Sequence, residues 1–257
     1  MRVSKGSLEA VNVRLAGQSP LDIMKWAHGT FGRRAAILSS MQRGGSILCH
    51  LADRAGLELD VVFVDTGVLH QETLRTRDEL ARTHPHLRVI TLTAEQSFEA
   101  QTRELGVLYL SKEGQERCCH LRKSAPLHVI RGRYDAFVSA LRRGEGGARK
   151  RIGIVELDDE MNALRVHPFA EAADDAFEIY HRAHRDVVMN PLHGMGFPSI
   201  GCFPCTTPVL PDEPERAGRW RHLANVQYCG INPTDRARIA EPAIDLDDGY
   251  RTALGIS

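Results

Sequence analysis

The sequence predicts an α/β fold: a parallel twisted sheet with helices on both faces, followed by an irregular C-terminal segment. Three observations carry this. Short aliphatic and β-branched runs alternate with stretches of helical apolar spacing through the first half of the chain. The first two of these runs stop at small or turn-forming residues. From Asn190 onward Pro and Gly become frequent and regular periodicity fades.

In order, Arg34-Ala35-Ala36-Ile37-Leu38 predicts a buried strand ending at Ser39-Ser40, and Ser46 to Ala55 a helix. Asp60-Val61-Val62-Phe63-Val64-Asp65 is a second buried strand, stopped by Thr66-Gly67, and Gln71 to Thr83 a helix laced with charge. Leu87 to Leu92 is a third strand, with Glu95 to Leu105 helical after it; Tyr134 to Leu141 and Lys150 to Glu156 supply further strands. Alternation at this pitch implies βαβ units. Residues 1–232 are expected to form one unit carrying the site, and 233–257 a loosely attached tail.

Composition narrows the setting. Lys+Arg 33 balances Asp+Glu 33, so no global field favours nucleic acid or a membrane surface, and any anion site must be built locally. No apolar stretch is long enough to span a bilayer, and Met1 to Gly6 lacks the apolar run of a secretory signal, so a cytoplasmic location is expected. Homo-oligomerisation stays open.

Of six cysteines, Cys118-Cys119 and Cys202-Phe203-Pro204-Cys205 form two tight pairs and Cys229 follows, leaving only Cys49 apart. In a chain without a signal this clustering points to metal or thiol chemistry rather than a disulfide frame. Adjacent cysteines are awkward as two ligands of one tetrahedral zinc. An iron–sulfur cluster with four thiolate ligands fits the count better, and zinc remains the rival. Arg122 and Lys123, just beyond the first pair, are placed to compensate thiolate charge or face an anion, if they are not simply solvated.

Between the first strand and its helix lies Ser39-Ser40-Met41-Gln42-Arg43-Gly44-Gly45-Ser46, small enough to fold around an anion at a helix N-terminus. It lacks the Gly-Lys-Ser/Thr ending of a Walker loop, so ordinary nucleotide hydrolysis is not expected. Asp65-Thr66-Gly67 ends the second strand, and the two loops are expected to share one nucleotide crevice, with Thr66 as an N-cap the plainer reading. Cys49 is expected to be a buried inert thiol, and Trp220 a packing anchor. His50, His70 and His193 either line the crevice or cap and solvate.

These segments, together with Glu72-Thr73, Cys118 to Lys123, Asn190-Pro191-Leu192-His193, Pro198 to Thr206 and Arg216-Ala217-Gly218-Arg219-Trp220, resemble the assimilatory sulfonucleotide reductases. More narrowly they are similar to the iron–sulfur adenylylsulfate (APS) reductases, over about Ser39 to Ile231. The resemblance implies an adenine nucleotide α-hydrolase-like fold and a [4Fe-4S] cluster on Cys118, Cys119, Cys202 and Cys205. It implies an adenosine 5'-phosphosulfate site from Ser39, Ser40, Gln42, Gly44, Gly45, Asp65, Thr66 and Gly67, with Lys123, Arg149, Arg216 and Arg219 as its cations. Arginine suits that task because its planar fork holds two anion oxygens at once. It further implies a nucleophilic Cys229, an S-sulfocysteine intermediate, release of AMP and sulfite, and thioredoxin or a similar thiol as reductant.

The sequence departs from the family pattern near the reaction centre. Tyr228-Cys229-Gly230-Ile231-Asn232 stands for Glu-Cys-Gly-Leu-His, and Gly144-Glu145 for the Asp-Gln that normally follows Arg142-Arg143. The tryptophan-threonine step is missing after His167-Pro168-Phe169, and the chain runs on through an acidic stretch, Asp245 to Asp248. Two alternatives follow: a divergent member acting on the 3'-phosphorylated nucleotide PAPS or another adenylylated substrate, or a non-enzymatic iron–sulfur redox protein.

Overall fold

The apolar runs become the strands of a six-stranded sheet in the computed structural model, which describes residues 1–223, 231 and 242–256. In chain order the strands are β1 (Arg2–Ser4), β2 (Ala35–Leu38), β3 (Leu59–Asp65), β4 (Leu87–Thr93), β5 (Ala136–Val138), β6 (Val155–Asp158), β7 (Ala163–Val166) and β8 (Ala243–Asp245). The α-helices are α1 (Glu9–Leu15), α2 (Pro20–Phe31), α3 (Arg43–Arg54), α4 (Gln71–Thr83), α5 (Phe98–Leu105), α6 (Lys112–Cys119), α7 (Ala125–His128), α8 (Ala176–Ala183) and α9 (Arg251–Leu254).

The large sheet has the order β4-β3-β2-β5-β7-β6, and every pairing is parallel except β6 on β7. Side chains alternate between its faces, as the pleat requires. Ile37, Val61, Val138 and Leu164 enter the larger core with Met24 and Ala27 of α2 and Ile47 and Leu48 of α3. Ala36, Val62, Phe137 and Ala163 enter a smaller one with Leu127, Ile130 and Tyr134. The expected α/β fold with a largely parallel, two-sided sheet is thus observed, with one antiparallel edge. After β2 the chain builds outward through β3 and β4, then returns to add β5 on the other side of β2. Such a reversal leaves a crevice at the carboxyl ends of the two strands beside it.

Three local expectations change. The strand expected over Tyr134 to Leu141 shortens to β5, because Tyr134 turns its hydroxyl to Asp60 (2.6 Å) and the chain leaves the sheet at Ser139. The strand expected from Lys150 begins only at Val155, since Gly147–Arg151 winds into a 3-10 turn. Of the expected loose tail, residues 242–256 are packed. β8 pairs antiparallel with β1, Leu246 N–H donates to Met1 O (2.9 Å), and Ile244 and Leu254 are buried in the larger core. Their apolar side chains outweigh the acidic stretch around them.

A buried ion pair ties the β6–β7 edge together. Arg165 donates Nε–H to Asp158 Oδ2 at 2.7 Å, with side-chain exposures of 1% and 0%. Its guanidinium lies 5.1 Å from the Phe137 ring centroid, and Nη2 donates to the carbonyl of Ile231 at 3.1 Å.

Candidate active site

The loop after β2 is shaped by contacts that only small residues permit. Ser39 Oγ accepts from the N–H of Met41 (3.1 Å), whose φ of 55° lies in the left-handed region that a bulky side chain avoids. A Cβ on Gly45 would stand 2.4 Å from Ser39 Oγ, so glycine is what lets the serine tuck against the start of α3. The Asn190–His193 segment holds the loop from behind. Asn190 Nδ2 donates to Met41 O (3.2 Å) and Thr73 Oγ1 (3.0 Å), while Gln42 Oε1 accepts from Ile200 N–H (2.8 Å).

His193 completes that support as a neutral ring. Its Nε2 accepts from Arg43 N–H (2.9 Å), which leaves the proton on Nδ1 to donate to Phe197 O (2.9 Å). Burial, reinforced by Arg43, pushes its pKa down from 6.5 to about 4. The unfolded chain therefore takes up a proton before the folded one does. The contribution is full above about pH 6.5 and is lost as pH falls towards about 4, amounting to at most about 3 kcal/mol. Urea midpoints at pH 7 and pH 4.5 are expected to converge in a His193→Gln variant relative to the parent.

A cavity of about 650 Å³ opens at the reversal point of the sheet. Ser39, Ser40, Gln42, Gly44 and Gly45 line it from β2, Thr66 from β3, and Ser139 to Arg142 from β5; Lys123, Arg149, Arg216 and Arg219 also face it. Asp65 and Gly67 stand beside it instead. Asp65 Oδ1 accepts from Gly67 N–H (2.8 Å), and Gly67 has a φ of 73°, with Arg122 Nη2 only 2.9 Å from where its Cβ would be. Arg122, buried, donates Nε–H to Thr66 O and Nη1–H to Gln101 Oε1 (3.2 Å), locking this loop onto the segment after α6. Arg219 donates to Ser199 Oγ (3.3 Å) and Ile200 O (3.1 Å) and lies over Trp220, itself 1% exposed.

Sequence reasoning passed over Ser139, Arg142, Glu145 and Asp174 as cavity residues. Arg142 Nη1 donates to the carbonyls of Ala173 (3.1 Å) and Asp174 (2.9 Å), and Arg149 Nη1 pairs with Glu145 Oε2. The Arg142-Arg143 pair was the available signal, but the segment supplying Asp174 is remote in sequence.

Beside the cavity the four paired cysteines share one neighbourhood. Cys118 and Cys119 close α6, and the chain then widens into a π-helical turn, His120–Ser124, that carries Arg122 and Lys123. Such turns recur at functional sites. Cys202 bridges to Leu69 and lies 3.3 Å from Thr66 Oγ1, so the second pair is sewn to the loop after β3. Gln115 Nε2 donates to Cys119 Sγ (3.0 Å) and Gln101 Nε2 to Cys118 Sγ (3.5 Å). Burial pushes the Cys205 thiol up to about 12, with Cys202, Cys119 and Cys118 adding to the rise and Lys123 opposing it. Burial likewise raises Cys118, with Cys202 adding and Gln101, Arg122 and Lys123 opposing.

Four thiols crowded into a shielded space repel one another once ionised, a conflict that a bound cationic centre removes. The donor set therefore fits a four-thiolate metal group, although among the described residues no three His, Cys, Asp or Glu side chains close on one point as ligands of a single ion. The described cysteines form no disulfide. Cys49 is buried and its thiol pushed up by burial, as suits an inert packing residue. Cys229, with Tyr228 and Asn232, lies outside the described residues.

Comparison with known proteins agrees with this geometry. The model of the phosphoadenosine phosphosulfate reductase domain matches residues 34–208. The adenosine 5'-phosphosulfate reductase of Streptomyces coelicolor is 36% identical over 228 residues, 89% of this chain and 94% of that protein. Adenosine 5'-phosphosulfate reductase 1 of Bacillus subtilis is 32% identical over 213 residues, 82% of this chain and 90% of that one. In fold, the chain is similar to the phosphate complex of phosphoadenylyl-sulfate (PAPS) reductase from Candida auris, with a TM-score of 0.67 at 18% identity, over 80% of this chain and 98% of that structure. With its reversal-point cavity and the match along most of its length, the chain belongs to the phosphoadenosine phosphosulfate reductase domain family.

Proposed function

We propose that the protein reduces adenosine 5'-phosphosulfate to sulfite and AMP, with Cys229 as nucleophile. The observation that carries the reading is Lys123, which faces the cavity and also opposes the burial-driven rise in the thiol pKa of Cys118 and Cys205. One cation thus serves the anion site and the cysteine group together. Ser39, Ser40, Gln42, Gly44 and Gly45 would cradle the nucleotide with the Asp65-Thr66-Gly67 loop, and Lys123, Arg149, Arg216 and Arg219 would hold its phosphosulfate.

The Cys229 thiolate attacks the sulfate sulfur, a Cys–S bond forms, and the bond from sulfur to the phosphate oxygen breaks with AMP as leaving group. A thiolate of thioredoxin or a similar reductant then attacks Cys229 Sγ. Sulfite departs with the electron pair, and a mixed disulfide remains on Cys229. Neighbouring cations favour the reacting thiolate and the charge on the leaving phosphate. Cys118, Cys119, Cys202 and Cys205 would hold a [4Fe-4S] cluster, which when bound supplies a fixed electrostatic field beside Lys123. Among the described residues no helix is long and apolar enough to cross a membrane, and a cytoplasmic setting is part of this reading.

The test is the intact mass of anaerobically purified, iron-loaded protein mixed with adenosine 5'-phosphosulfate and no reductant. The parent is expected to gain one sulfonate group and a Cys229→Ser variant none. An unmodified parent with its iron intact would overturn the assignment of substrate, and PAPS would be tried next.

A further inference from the structure

In the pattern that the resemblance implies, Asp-Gln follows Arg142-Arg143; Gly144 and Glu145 stand there in this chain, and the structure treats the two positions differently. At the first, glycine replaces an acid. A Cβ on Gly144 would stand 2.1 Å from Asp174 Oδ1, so the carboxylate of Asp174 already occupies the space a side chain there would take. It lies 3.7 Å from Arg142 Nη1, and the negative charge at this end of the cavity is kept, delivered from another segment. At the second, glutamate replaces glutamine, a side chain of equal length and reach. Glu145 Oε2 pairs with Arg149 Nη1, both side chains facing the cavity and only 18% and 10% exposed. Glutamine would offer Arg149 the same acceptor oxygen without the charge. The change at the second position thus sets a carboxylate against a cavity arginine, whose charge it partly neutralises.

The geometry points to Glu145 as a specificity-determining residue that sets how much negative charge a nucleotide ligand may carry. This rests on the adenine-nucleotide reading of the cavity. Any anion that engages Arg149 meets a guanidinium already shared with a carboxylate, in a partly shielded space where like charges are weakly screened. The penalty grows with each ligand charge, so the site favours adenosine 5'-phosphosulfate over its 3'-phosphorylated counterpart. A neutral nucleoside is untouched by it.

Calorimetric titration of the full-length, iron-loaded protein with adenosine, AMP and adenosine 3',5'-bisphosphate tests this in the parent and in Glu145→Gln. The variant is expected to bind adenosine as the parent does, AMP about threefold more tightly and the bisphosphate about tenfold more tightly. These gains shrink in high salt. Unchanged adenosine affinity also certifies an intact pocket. An unaltered ratio of bisphosphate to AMP affinity, or a uniform loss for both, would overturn the inference and make Glu145 an orienting partner of Arg149. A parent that binds none of the three ligands would instead overturn the nucleotide reading itself.

Discussion

An Asp158→Asn variant is expected to lose about 3–5 kcal/mol of stability, because it strips the counter-charge from a buried arginine. Arg165 is 1% exposed and Asp158 fully buried, and among the described residues Arg165 Nη1 has no hydrogen-bond partner, so the guanidinium depends heavily on that carboxylate. Urea denaturation checks the loss through a lower midpoint at an unchanged slope. Replacing both partners, with Arg165→Met and Asp158→Leu, removes the stranded charge and is expected to recover most of the stability. Turnover is expected to stay depressed in the double variant, because the bond from Arg165 Nη2 to the Ile231 carbonyl is gone. A double variant as unstable as the single one would show that packing, not charge, sets the cost.

Cys202→Ser is expected to abolish both iron retention and sulfite production. Cys202 is buried, contacts Thr66 Oγ1 at 3.3 Å and bridges to Leu69, so it joins the cysteine group to the loop after β3. Losing a partner that only orients a metal ligand costs roughly 10- to 100-fold in affinity or activity, and loss of a ligand itself is expected to exceed that. Iron per polypeptide and sulfite release check it together. Cys49→Ser is the control: that thiol sits in the apolar core apart from the cysteine group, and iron content is expected to be unchanged. Iron at the parent level in Cys202→Ser would remove this cysteine from the ligand set.

The central βαβ units were legible because local signals suffice for them. Strand β2 and the middle of β3 are continuous apolar runs, β4 is a mixed, partly β-branched one, and the loops after β2 and β3 announce themselves by Ser, Gly and Thr. Strand β7, between β5 and β6, was missed because Ala163-Leu164-Arg165-Val166 carries an arginine that reads as solvated, whereas its partner Asp158 becomes apparent only in three dimensions. α2 was passed over although Ser19 accepts from Asp22 N–H (3.2 Å) and Pro20 follows it, a start signal visible in the chain. In the site, most of the cavity residues expected from motifs do line it. Asp65 and Gly67 do not, since their loop is spent on mutual hydrogen bonding and on Arg122. Asp174 was out of reach of any motif, because it acts through the vacant side-chain position of Gly144.

The pairing of β1 with β8 has a further consequence for the proposed nucleophile. On the near side the chain is fixed at Trp220, whose N–H donates to Cys205 O (2.9 Å), and on the far side at β8 on β1. Between these anchors, the carbonyl of Ile231 accepts from Arg165 Nη2 at 3.1 Å. Anchoring a chain at both ends raises the effective concentration of any group between the anchors, so a variant that unpairs β1 from β8 is expected to lose sulfite production while keeping its iron.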